Sequence, residues 1–288
     1  MSLEQTEQRP RFVRKGPFRR GIYILPSLFT VGTLVCGYFA ILSTLKGTQM
    51  LAAGIGTALS LVPFDSAAKA IGWAVLFDGL DGRIARLTNS TSEFGREFDS
   101  LADVVTFGIA PAFLAYAWGV RSLEEVYGTQ LVQHVREIGW IITFTFVICG
   151  AARLARFNID TTKGTGDRRY FVGLPIPAAA GVVAALVHWA KYPVNEWTFG
   201  IVWLGIIGVL GFLMVSRMRY PSFKTLDLRR RRPYVAIILI GLIVWAIWAF
   251  SEPVLLTIAL TYCLSGPVGR LTSRFRPHPP APEEVHAS

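Results

Sequence analysis

Apolar runs of membrane-spanning length recur along this chain, near residues 22–45, 66–88, 95–118, 138–157, 172–190, 198–216, 234–250 and 253–269. A helix of roughly 17 to 25 such residues crosses ~30 Å of hydrocarbon. Hydrocarbon offers a peptide group no hydrogen-bond partner, so a chain built of these runs must satisfy its backbone within helices. With 52% hydrophobic side chains and a mean hydropathy of +0.44, the chain is also too apolar for an ordinary soluble domain. The expected fold class is all-α, a polytopic membrane helical bundle of about eight transmembrane helices. The stretch 49–63 is apolar but short, and reads as a re-entrant or interfacial piece.

Lys and Arg near helix ends are retained on the cytoplasmic side of a membrane. With eight spans and an inside N-terminus, all but five of the 29 basic residues fall on that side; the exceptions are Lys46, Lys69, Arg121, Arg136 and Lys191. Both termini are therefore expected to be cytoplasmic, in a multi-pass protein of the cell's inner membrane. The net charge of +10 is gathered at helix ends, which suits anionic membrane lipids and argues against nucleic acid. Cys36, Cys149 and Cys263 are isolated in apolar context and read as small core residues, neither disulfides nor ligands. Trp118, Trp140 and Trp197 read as interfacial anchors. Residues 1–21 form a basic cytoplasmic segment, 227–270 two further C-terminal transmembrane helices, and 271–288 a Pro-rich, polar tail expected to be disordered.

Against this background, the stretch 77–108 carries Asp78, Asp81, Asp99 and Asp103. The first two are three apart and the last two four apart, so on helices each pair shares a face. The polar run between them reads as a turn centred near residue 90 that joins two antiparallel helices. Positions at equal depth then place Asp78 opposite Asp103 and Asp81 opposite Asp99, with Asp78 ~13 Å from the helix end. Bare, such a cluster is costly. Each buried Asp costs about 2.5 to 3.5 kcal/mol, and two carboxylates 4 Å apart repel by ~4 kcal/mol at an effective dielectric of 20. Two divalent cations would cancel the four charges. All-oxygen ligation without His or Cys points to Mg²⁺ or Mn²⁺ over Zn²⁺. Gly82, Ala85 and Gly95 keep the adjoining surface small, and Arg86 is spaced to pair with a phosphate. These features describe a site for a pyrophosphate ester. A cation-coupled transporter is the competing class; all four carboxylates, however, sit on two adjacent helices with no second copy elsewhere.

Asp78, Asp81-Gly82, Ala85-Arg86, Gly95, Asp99 and Asp103, at these spacings, resemble the signature of the CDP-alcohol phosphotransferases at every fixed position. The resemblance implies an integral membrane enzyme in which an alcohol hydroxyl displaces CMP from a CDP-alcohol, usually CDP-diacylglycerol. It implies that Asp78, Asp81 and Asp99 hold one metal and Asp78, Asp99 and Asp103 a second, with Asp103 doubling as general base. It further implies that Gly82, Arg86 and Ser92 contact the CDP-diacylglycerol head, that the active site faces the cytoplasm, and that the protein is a homodimer.

Four further segments, 25–41, "RLARFN" (153–158), "YFVGLPIPAAAG" (170–181) and "MVSRMRYPSFK" (214–224), are similar to the membrane-embedded branch that uses L-serine as acceptor. This resemblance covers about residues 22–226, the expected catalytic membrane domain. Ser27 and Thr33 depart from it, standing where relatives commonly carry Asn, and the linker around 46–66 is longer than usual. Glycerol phosphate or inositol phosphate remain alternative acceptors. Arg153 and Arg156, one turn apart, either hold an acceptor carboxylate or phosphate or serve as positive-inside anchors. Asn158 offers both donor and acceptor to a zwitterion. Pro221 is expected to end a helix, after which Lys224 either faces the site or snorkels to head groups. "GLPIPAAAG" reads as the bent, small-residue start of a helix.

Overall fold

The computed structural model describes residues 24–54, 57–88, 93–121, 123, 129–163, 170–194, 196–221 and 233–274. Among them run eight helices: α1 (Ile24–Ala52), α2 (Thr57–Thr88), α3 (Glu93–Arg121), α4 (Thr129–Lys163), α5 (Ile176–Ala190), α6 (Trp197–Val215), α7 (Pro233–Ala249) and α8 (Ser251–Arg274). The fold is all-α apart from one short antiparallel hairpin, β1 (Tyr170–Val172) with β2 (Arg219–Pro221), in which Phe171 lies opposite Tyr220. Five of the helices are long and apolar enough to cross a membrane: α1 from Leu28, α3, the Val132–Asp160 part of α4, α6, and α8 to Thr272. α5 is apolar but shorter. Large apolar side chains such as Trp73, Phe144, Phe199, Phe212, Trp245 and Trp248 point outward, as they do on helices that face lipid. The described residues thus form an apolar helical bundle of the membrane type.

Small residues set the packing. α1 lies along α2 and crosses α3 at Gly37, where a Cβ would stand 2.6 Å from Thr106 Oγ1 and 2.8 Å from its Cα. Only glycine permits that approach, the usual device of membrane helices that have no hydrophobic drive to associate. The Thr106 hydroxyl closes the same contact by donating to the Thr33 carbonyl at 3.2 Å. α3 is not a regular helix throughout: it widens into π turns over Val104–Ile109 and Ala117–Arg121. The first begins directly after Asp103 and shifts the register of everything that follows.

Several expectations are corrected. Residues 49–63 are not a re-entrant piece: 49–52 finish α1 and 57–63 begin α2, with Pro63 inside the helix. The charges that seemed to shorten this span are matched within it, since Lys69 Nζ lies 2.7 Å from Asp65 Oδ2 one turn away. Pro221 does not end a helix. α6 stops at Val215, and Pro221 closes β2. The span expected from 172 starts at Ile176, because β1 and a turn at Gly173 (φ +81°) come first. A Cβ at Gly173 would run into the Met214 carbonyl. Trp118 is a core residue, not an interfacial anchor: it is buried against Trp203, with ring centroids 4.9 Å apart. Trp140 is exposed and Trp197 half-buried. All three cysteines are free thiols, Cys263 buried and the other two half-buried.

One end of the bundle is tied by polar contacts. His188 of α5 hydrogen-bonds through Nδ1 to Asp65 of α2, and its Nε2 lies 3.0 Å from Ser251 Oγ of α8. Lys191 pairs with Glu252 beside them, which holds the Lys191 ammonium above its ordinary pKa. Asp65 lies 13 residues, ~20 Å of helix, from Asp78. The other end is therefore left to the acidic cluster.

Candidate active site

The carboxylates come from the end of α2 and the start of α3, two antiparallel helices whose facing stripes carry them at matched depth. Asp78, Asp99 and Asp103 each present an oxygen within 4.8 Å of the other two. Asp81 is buried beside them, within electrostatic reach of Asp99 and Asp78, and its Oδ2 accepts a hydrogen bond from Thr30 Oγ1 of α1 at 3.0 Å. The structure thus brings all four sequence-selected aspartates together. At 4.8 Å, two ionised carboxylates repel by about 3.5 kcal/mol at an effective dielectric of 20. Asp103 is 7% exposed, and its Oδ1 has no hydrogen-bond partner among the described residues. A buried acceptor left open inside an all-carboxylate donor set fits a hard divalent cation such as Mg²⁺ or Mn²⁺.

Among the described residues, the buried cation beside the cluster is Arg153, on α4. It is 7% exposed and within electrostatic reach of Asp103 and Asp78. Its guanidinium carbon lies 5.3 Å from the Phe157 ring centre and 5.8 Å from that of Phe171, so two aromatic faces hold the fork in place. Its Nε has no hydrogen-bond partner among the described residues. Arg153 thus faces the bundle interior and not the lipid. Arg156 goes elsewhere: its Nη1 donates to the Val215 carbonyl at 3.1 Å, on the last residue of α6, a favourable place for a cation. Asn158 Nδ2 donates to Ser100 Oγ at 2.9 Å, next to Asp99 in sequence, so α4 is pinned to α3 beside the cluster.

Gly82 is exposed, and a Cβ there would meet nothing within 4 Å, so open space adjoins the carboxylates. Gly95 is half-buried on the facing helix. The side chains of Ala85 and Arg86, and Ser92 and Lys224 as whole residues, lie outside the described residues, as does the side chain of Ser27. Thr30 was not among the sequence candidates. Its one signal is a hydroxyl in an otherwise apolar run, and such hydroxyls more often bond their own helix, as Thr33 does to Phe29.

A membrane-type helical bundle enclosing a carboxylate cluster, an open glycine-lined face and one buried arginine defines a class of integral membrane enzymes that handle phosphate esters. Residues 23–264 match the family model described as CDP-alcohol phosphatidyltransferase, and the chain belongs to that family. The family is generally dependent on divalent metal, in keeping with the acidic cluster. Relatives named CDP-diacylglycerol–serine O-phosphatidyltransferase include a Helicobacter pylori protein, 40% identical over 204 residues, covering 70% of this chain and 74% of that protein. One from Bacillus subtilis is 33% identical over 200 residues, covering 69% of this chain and 91% of that protein. One from Saccharomyces cerevisiae is 43% identical over 117 residues, covering 39% and 37%.

Proposed function

We propose that this protein transfers the phosphatidyl group of CDP-diacylglycerol to the hydroxyl of L-serine, releasing CMP and forming phosphatidylserine. The observation that carries the reading is the meeting of the Asp78, Asp99 and Asp103 oxygens beside the buried Arg153. The names of the relatives above supply the acceptor. Asp78, Asp81, Asp99 and Asp103 would hold two divalent cations, Mg²⁺ or Mn²⁺, which when bound polarise the pyrophosphate and offset the charge on the departing CMP.

The chain's own residues do the rest. Asp103, with one oxygen uncommitted, takes the proton of the serine hydroxyl as the serine oxygen bonds to phosphorus and the phosphorus–oxygen bond to CMP breaks. Thr30 orients Asp81. The space over Gly82, continued by Gly95 and Ala85, admits the CDP-diacylglycerol head, with Arg86 and Ser92 on its phosphates. Arg153 receives the serine carboxylate and Asn158 borders the same pocket; Arg156, bonded to the end of α6, supports the acceptor site from outside, and Lys224 is assigned to it by the sequence alone. We place this site at the cytoplasmic face of the inner membrane, in a homodimer whose basic helix ends meet anionic lipids.

The test is CMP release by the purified protein from CDP-diacylglycerol with Mn²⁺ or Mg²⁺, offering serine, glycerol phosphate and inositol phosphate in turn. Turnover with serine supports the reading. Turnover with another alcohol and none with serine overturns the acceptor assignment and leaves the transferase class standing.

A further inference from the structure

Asp103 Oδ1, Arg153 Nε and Tyr220 Oη are buried without a hydrogen-bond partner among the described residues. The first two belong to the site already described. The third comes from β2 and leads to the last helix. Arg153 lies over Phe171, Phe171 is the strand partner of Tyr220, and the Tyr220 ring centre is 5.9 Å from that of Tyr262 on α8. Tyr220 is fully buried. A Cβ on Gly266 would meet its ring, so the ring rests directly on the α8 backbone. Tyr262 and Gly266 are four apart and share a helix face. From that face the Tyr262 hydroxyl donates to the Pro221 carbonyl at 3.4 Å, and Tyr262 is also within electrostatic reach of Arg153. α8 therefore holds the hairpin against the arginine.

We propose that α8 forms one wall of the acceptor pocket, with Tyr262 as a positioning residue that fixes the hairpin beside Arg153. This rests on the serine-transferase reading and deepens it. Buried donors without partners are costly, and a ligand that satisfies them binds with the selectivity such groups confer. Arg153 Nε has a proton to donate, which matches a carboxylate. One guanidinium balances the single carboxylate of a zwitterionic alcohol such as serine. The pocket is thus built for a small zwitterionic alcohol, and the last helix contributes to that choice.

The experiment measures KM for serine and for CDP-diacylglycerol, with kcat, in Tyr262→Ala, Tyr262→Phe and Gly266→Ala, with thermal unfolding in detergent as the folding control. We expect Tyr262→Ala and Gly266→Ala to raise the serine KM about tenfold while the CDP-diacylglycerol KM stays within about twofold. Tyr262→Phe, which keeps the ring and loses the bond to Pro221, should fall between these and the parent. Equal changes in both KM values, or none in either, would overturn the proposal. If Tyr262→Ala does not fold, the other two variants decide. If the parent protein turns over a different alcohol and not serine, the serine reading fails by itself, and the same comparison made with that alcohol's KM still tests the wall.

Discussion

Thr30→Val tests how far the acidic cluster depends on a residue outside the acidic stretch. Valine keeps the volume of threonine and removes only the hydroxyl that donates to Asp81 Oδ2 at 3.0 Å. Thr30 and Asp81 are both at most 5% exposed, so water cannot readily replace the lost donor. A hydrogen bond to a charged group contributes about 1.5 to 3 kcal/mol. If that energy orients Asp81 for a cation, its loss weakens metal binding by roughly ten- to a hundredfold, the range seen when supporting partners of metal ligands are removed. The assay is CMP release titrated with Mn²⁺ at saturating lipid and acceptor. The half-saturating metal concentration should rise by roughly that factor, and kcat at saturating metal should stay near the parent value. Thr30→Ser, which restores the hydroxyl, should recover most of the loss. An unchanged metal titration in a folded Thr30→Val protein would refute the role given to Thr30, and a fall in kcat that metal cannot rescue would place its effect on packing.

Asp103→Asn should lower turnover by about two to four orders of magnitude, the usual worth of a positioned base, while metal-dependent thermal stabilisation persists in part; near-normal turnover would remove Asp103 from that role. Gly82→Leu should leave the melting temperature almost unchanged, because a Cβ there meets nothing within 4 Å, and should abolish CMP release by filling the open face; an active variant would put the substrate elsewhere. His188→Ala breaks the contacts from α5 to Asp65 and Ser251 and should cost about 1 to 3 kcal/mol, read as a lower unfolding temperature in detergent. Its metal titration should be unchanged, since the cluster lies at the far end of α2.

Most of the helices could be read from apolar run length because lipid-facing and core-facing residues are both apolar, so no periodicity had to be resolved. The exceptions have specific causes. The start of α2 was missed because Pro63 and Asp65 interrupt the apolar run, although Pro63 sits inside the helix and Asp65 pairs with Lys69 and His188. The β1–β2 hairpin joins residues about 50 apart, a pairing that local pattern does not encode, and so Pro221 was misread as a helix stop. Trp118 was taken for an interfacial anchor because it lies near a helix end; its burial depends on Trp203, on another helix. Arg153 and Arg156 were indistinguishable by spacing. Three residues apart, they are offset by only about 60° around the helix and ~4.5 Å along it, and the packed neighbours decide that one meets the acidic cluster and the other the end of α6.

Two acidic pairings on α2 show why its functional end was legible. Asp65 has an opposite charge one turn away, so its sequence context already contains the balance and points to no ligand. No Lys or Arg stands three or four residues from Asp78 or Asp81, and the facing positions on α3 bring two more carboxylates. The excess is therefore visible before folding is known: no arrangement of two antiparallel helices through this turn separates all four charges while keeping the apolar faces in lipid. Arg153 offsets one charge at most, and its guanidinium is held over two rings. The remaining negative charge is what the proposed divalent cations would offset. The details that tune it, Thr30 on α1 and Tyr262 on α8, come from helices distant in sequence whose approach the glycines at 37 and 266 permit. A charge imbalance is thus a property of the chain that sequence can reveal, whereas the groups that refine the site belong to the packing.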